Sequence, residues 1–183
     1  MTAQTSVEQV ELTKLKGNLN CFYKPKYSAK QRTLFYPFNS TDTIKLVSFR
    51  YHRHNYPIIK DSVIVDSLVE IKVLTKPEIN KLTDILYNNF YKQQPNYGEF
   101  STCFFPRNAI LFYDKTGHLK ENILLCFHCD SHQKSSEKVN YGSDCTQKME
   151  KLRQFFIVLG LKFGTDKEIE KYPGEESDDG IIY

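Results

Sequence analysis

Residues 103–129, CFFPRNAILFYDKTGHLKENILLCFHC, constrain this chain more than any other stretch. Two runs rich in Phe, Ile, Leu and Tyr flank DKTGH, and that pentapeptide suits a three-residue hairpin connection. Lys115 and Thr116 fit a type I turn, and Gly117 takes the positive φ of the bulge position. Asp114 then pairs with His118. A regular ladder continued from that pair sets Ala109 against Ile123, Leu111 against Glu121 and Cys103 against Cys129. Directly opposed side chains in such a ladder have Cβ atoms about 4.5 to 5.5 Å apart. Three of the five cysteines in the chain therefore gather at the open end of one hairpin.

Cys126 has the other parity, and it faces Pro106, which gives the ladder no donor. A fourth cysteine, Cys145, begins the apolar stripe of a predicted helix that must pack on this sheet. Three readings stay open for Cys103, Cys126, Cys129 and Cys145. They are buried free thiols; they form a Cys103–Cys129 disulfide with Cys126–Cys145 as a companion; or they hold tetrahedral zinc, for which C-x-x-C has the usual spacing and His128 or His132 can replace one ligand. The CFHC sequence also has the form of a redox motif. Such a motif needs its first cysteine at a helix N-terminus, and DSHQKSS, which follows, does not begin a helix.

The rest of the chain supplies a sheet and two helices. Residues 43–52, TIKLVSFRYH, alternate as a strand does, with Ile44 and Leu46 on one face and Val47, Phe49 and Tyr51 on the other. SVIVDSLVEIKVLT gives one or two more strands. In TKPEINKLTDILYNNFYK, Thr75 and Glu78 form a capping box and Pro77 sits in the first turn. Ile79, Leu82, Leu86 and Phe90 then make one apolar helical face. A second helix spans about 144–159, with Cys145, Met149, Leu152, Phe156 and Leu159 as its stripe and Gly160 as its terminator. Strands, a helix, a hairpin and a helix in that order predict an α+β fold: a mainly antiparallel sheet with about two helices packed on it. Residues 1–20 read as an arm or short strand, 21–165 as one domain and 166–183 as an acidic tail. The segment around residue 30 reads as basic, aromatic and irregular, and that around residue 135 as a polar connection.

CFFPRNAILFYDKTG, then ILLCFHC, then CTQKMEKLRQFFIVLGLKFGT resembles, in motif order, a set of uncharacterised short bacterial proteins that carry a Cys, a P-R-N/H-A step and C-F-x-C. The resemblance covers the last third to half of the chain and implies no activity.

Charge bears on partners. Through Lys92 there are 14 Lys and Arg against 8 Asp and Glu, and after it 11 against 14, so the early half is basic and the late half acidic. A pI near 8.5 gives nucleic acid little support as a partner. No apolar run reaches a membrane span, and the start lacks the apolar stretch of a signal peptide. The expectation is cytoplasmic, or periplasmic or secreted if a natural leader precedes Met1. Arg50, His52, Arg53 and His54 in FRYHRHNY, together with Arg107, form a candidate binding surface for an acidic group. The signatures of nucleophile-elbow hydrolases, zincins, P-loops and dinucleotide-binding folds are missing from the sequence. The leading expectation is a small soluble binding or accessory protein, partnered by another protein, with a structural or zinc-binding cysteine cluster. It leans away from an enzyme. The alternatives are a thiol- or metal-dependent enzyme built on CFHC, and an inhibitor or immunity-type protein that binds an acidic partner.

Overall fold

The computed structural model describes residues 20–51, 58–59, 62–63, 67–91 and 103–167. Its main sheet has five antiparallel strands: β2 (Thr43–Phe49), β5 (Leu68–Val73), β7 (Asn108–Tyr113), β8 (Leu119–Cys126) and β9 (Ser131–Lys134), in the order β5-β2-β7-β8-β9. Two-residue ladders join β1 (Phe22–Tyr23) to β6 (Asn89–Phe90) and β3 (Ile58–Ile59) to β4 (Ser62–Val63). The helices are the single-turn α1 (Ala29–Arg32), α2 (Lys76–Tyr87) and α3 (Lys148–Val158). The predicted α+β class and hairpin are therefore present. Most of the predicted arm and tail lie outside the described residues.

The turn forms as its residues require. The Asp114 N–H donates to the His118 carbonyl at 3.0 Å, and Gly117 has φ +82°. The ladder beyond it differs from the regular one by one residue, because Tyr113 pairs with Leu119 while Phe112 pairs with Glu121. Lys120 is the extra residue of a bulge. Ala109 consequently faces Leu124 and Leu111 faces Asn122. The physical reason is burial: a one-residue slip moves every side chain to the other face. The bulge sets Ile123 and Leu125 beside Ile110 and Phe112 on the face that the helices cover.

That face holds the larger core, where Leu46, Leu82, Leu86, Ile110, Phe112, Leu152 and Phe156 are all inaccessible to solvent. Burying each such side chain contributes about 1.5 to 3 kcal/mol. The opposite face carries a smaller cluster of Val47, Phe49, Ala109, Leu111, Leu119 and Leu124. On the edge strand β5, Val69, Ile71 and Val73 are exposed.

Helix α2 starts as its capping box dictates. The Glu78 carboxylate accepts from the Thr75 N–H at 2.6 Å and hydroxyl at 2.8 Å, and from Lys72 at 2.9 Å. The Thr75 N–H foremost, with Lys72, holds the Glu78 carboxyl down to about 2. The helix stops at Tyr87, before Phe90, because the Asn89 amide turns back onto the carbonyl of Ile85 at 3.0 Å. Helix α3 begins at Lys148, later than its stripe predicts, and ends as Gly160 predicts. With φ +90° at Gly160, the Gly160 N–H reaches the Ile157 carbonyl and the Leu161 N–H that of Phe156, a complete Schellman motif.

Glu121 ties three segments together beneath the sheet edge. Its carboxylate accepts the hydroxyls of Tyr36 at 2.6 Å, Ser136 at 3.0 Å and Ser135. Burial works to raise its pKa, but those hydroxyls and the charge of Lys138 hold it below the ordinary value, while the same hydrogen bond pushes Tyr36 up to about 12. A carboxylate with a depressed folded-state pKa contributes stability that is present above its unfolded pKa and lost as pH falls. Glu121→Ala is expected to cost roughly 2 to 3 kcal/mol at neutral pH, because three hydroxyls lose a charged acceptor. Urea unfolding at pH 7 and again at low pH checks this: the cost should shrink on acidification, and a loss under about 0.5 kcal/mol would contradict the assignment.

Candidate functional site

The chemistry-bearing residues of the hairpin lie past its ladder. Strand β7 starts at Asn108 and β8 ends at Cys126, so Cys103 and Cys129 both fall outside the paired strands. They are nonetheless bonded to each other, with Cα atoms 5.7 Å apart. A turn brings the pair together, because residues 127–130 fold over the end of β8 and Asp130 takes φ +48°. That turn also brings a ring nitrogen of His128 and both sulfurs within 4.8 Å of one another. The His128 Nδ1 lies 2.7 Å from the carbonyl oxygen of Lys167. A carbonyl only accepts, so Nδ1 carries the proton in this contact and Nε2 has the free lone pair.

Cys126 is the one free thiol among the described cysteines, and it is buried. The Cys129 N–H points at its Sγ from 3.3 Å, and the N–H groups of Phe105 and His128 also point at it. Successive N–H groups of this kind make a concavity suited to an anion. Burial still dominates and pushes the Cys126 thiol up, against the pull of those N–H groups and of Arg107.

Cys145 does not join this cluster. The expected companion bridge to Cys126 is replaced by a disulfide from Cys145 to Cys21, with Cα atoms 4.9 Å apart and a sequence separation of 124. The four-cysteine zinc set therefore loses Cys145 in this state. The partner was hidden because Cys21 lies in a basic, aromatic segment with no recognisable element. The bridge is flanked by Gln147, which accepts the Cys21 N–H at 2.6 Å and donates to the Asn20 side chain at 2.9 Å.

The P-R-N step has a structural reading. Asn108 is fully buried, and its amide donates to the Phe163 carbonyl at 3.0 Å and to the Ser48 hydroxyl at 3.3 Å. Ser48 in turn donates to Glu70 at 2.6 Å, and the Glu70 carboxylate accepts the N–H groups of Lys162 and Phe163. The loop after α3 is thus held against β7. Gly164, at φ +71°, is required there because a Cβ would overlap Arg107. Arg107 abuts this loop at Gly164, and its charge acts on Cys126. Arg50 is exposed, while His52, Arg53 and His54 lie outside the described residues.

Two further features escaped the sequence reading. Lys148 is 1% exposed, and its Nζ donates to the carbonyls of Leu86 at 2.8 Å and Tyr141 at 3.3 Å. It thereby satisfies an orphan carbonyl at the C-terminus of α2, where a cation is favoured. The His132 ring stacks on Tyr141 at 3.7 Å, and Asp144 lies 3.8 Å from His132. Burial lowers the His132 pKa and brings Lys148 down to about 8. The second feature is a largely apolar groove of about 840 Å³ between α2 and α3. Ile85, Phe155, Val158 and Leu159 line it, Glu78, Lys81, Glu150 and Lys151 stand around it, and Val158 is 80% exposed.

No family model, no curated protein and no solved structure matches this chain. Among the described residues, no helix is long and apolar enough to cross a membrane.

The Lys148 amine, pushed down by burial, should titrate at about 8, well below an ordinary lysine, when followed by NMR of its side chain. A midpoint above 10 would mean that the ammonium is hydrated and not enclosed between Leu86 and Tyr141.

Proposed function

We propose that this chain is a binding or accessory protein of an oxidising compartment, and that it receives an amphipathic helix of a protein partner in the groove between α2 and α3. The groove carries the reading. Its floor is apolar, its rim mixes acidic and basic side chains, and it follows α3 from Gln147 to Leu159, about 18 Å or three helical turns. A partner helix that presents apolar residues three and four apart, flanked by both signs of charge, matches that surface. The Cys21–Cys145 bridge supports the same reading, since it fixes the chain at the groove end where Gln147 sits.

Two disulfides are the state expected where thiols are not kept reduced. The thiol-enzyme alternative has less support. Cys126 is 1% exposed and its thiol is raised, whereas a nucleophilic cysteine is accessible and lowered. An acidic-partner inhibitor would rest on the Arg50 to His54 segment, most of which lies outside the described residues.

Selection of peptides from a displayed library against the oxidised protein tests the groove. Selected peptides should lose at least tenfold in affinity for Val158→Arg and keep their affinity for Ile71→Arg on the edge strand. Both positions are exposed, so both variants should fold. Peptides that tolerate Val158→Arg, or that depend on Ile71, would overturn the assignment. Mapping of unreduced peptides from protein isolated in its native host should give Cys21–Cys145, Cys103–Cys129 and a single thiol at Cys126. Five alkylatable thiols would remove the oxidising compartment from the proposal.

A further inference from the structure

We infer that the hairpin end has a second closed state: once Cys103–Cys129 is reduced, the thiolates of Cys103, Cys126 and Cys129 and the Nε2 of His128 bind one zinc ion. This inference does not depend on the groove, and either can fail alone.

The geometry that points to it combines the two sulfurs of the disulfide with two groups placed beside them, the His128 ring and the Cys126 thiol. A tetrahedral zinc site with Zn–S near 2.3 Å and Zn–N near 2.1 Å needs ligand atoms about 3.5 to 3.8 Å apart. Cys103, His128 and Cys129 bring two sulfurs and a ring nitrogen within 4.8 Å of one another, and reduction frees the two joined sulfurs to part toward that spacing. Cys126 and Cys129 have the C-x-x-C spacing and lie on one turn, with the Cys129 N–H on the Cys126 sulfur. The N–H groups of Phe105 and His128 add to that contact, and Arg107 supplies a positive charge nearby. A buried thiol surrounded in this way has little to gain as a thiol, because a neutral S–H is a weak acceptor. A metal thiolate is a strong one. His128 is prepared as well: the Lys167 carbonyl holds the proton on Nδ1, which is the outer-shell contact that zinc-binding histidines use.

The balance is simple. A dithiol reductant breaks the Cys103–Cys129 bond, transfers two electrons and two protons to the two sulfurs, and leaves as its own cyclic disulfide. Zinc then displaces three protons, one from each thiol, and takes the Nε2 lone pair without displacing one. The Cys3His set carries a net charge of −1 beside Arg107. Cys21 and Cys145 take no part. The hairpin end would thus be closed by a covalent bond in oxidising surroundings and by a metal in reducing ones.

The test uses the whole chain, reduced with a dithiol and then freed of it, with zinc as the added probe. Native mass spectrometry should give one zinc per reduced chain and none on the oxidised chain. Alkylation with and without zinc, mapped by peptide, should find Cys103, Cys126 and Cys129 protected by the metal and Cys21 and Cys145 modified in both cases. Because that map reads the unmutated chain, it does not depend on any variant folding. Cobalt in place of zinc should give the visible spectrum of a tetrahedral site with three thiolates. Cys126→Ser and His128→Asn should each weaken binding at least tenfold, and Cys145→Ser should leave it unchanged. A reduced chain that binds no zinc, zinc that protects Cys145, or binding unaffected by Cys126→Ser would each overturn the inference.

Discussion

The one-residue bulge at Lys120 is the constraint on which most of the sheet depends. Because side chains alternate with a period of two, that extra residue decides which half of β8 meets the helices. It sends Ile123 and Leu125 into the main core and places Glu121 under Tyr36. Without it, Phe112, which is inaccessible to solvent, would oppose the charged side chain of Lys120. The bulge also fixes the face and height at which Cys126 ends the strand, and hence where the turn carrying His128 and Cys129 begins.

The polar interior is arranged around a few charged side chains that each join segments far apart in sequence. Glu70 holds the loop after α3, and Glu121 gathers Tyr36, Ser135 and Ser136. Lys148 closes the end of α2, and Arg32 reaches Thr83, Asn80 and Asp84 from the short α1. Such groups are costly to bury unless paired, so their contacts discriminate against misassembled packings more than they add net stability.

What the sequence made legible were features with local chemistry behind them. The DKTGH turn, the Thr75–Glu78 box and the Gly160 stop follow from side-chain and backbone preferences acting over four or five residues. The register was also readable in principle, since only the slipped ladder matches Ile110 and Phe112 to apolar or hydrogen-bonded partners. A regular ladder extended from the turn ignored that test. Strand β9 was not legible, because SHQK has no apolar alternation and is a strand only through its pairing with β8. The same holds for β1 and β6, two residues each. The Cys103–Cys129 disulfide is one of three readings drawn from a ladder that does not extend that far, and the turn that joins the two residues is one the sequence does not announce. The Cys21–Cys145 pair spans nearly the whole domain, and no local pattern carries that information.

The Cys21–Cys145 bridge has a mechanical meaning. A pull transmitted through the residues before Cys21 passes across the sulfur–sulfur bond directly to the start of α3. The stretch between the two cysteines, a sequence separation of 124, is bypassed, so about 420 Å of contour length cannot be drawn out while that bond is intact. The sheet, α2 and the hairpin end sit inside this covalent ring. Under tension from that side they behave as cargo carried by α3 and do not bear the load themselves.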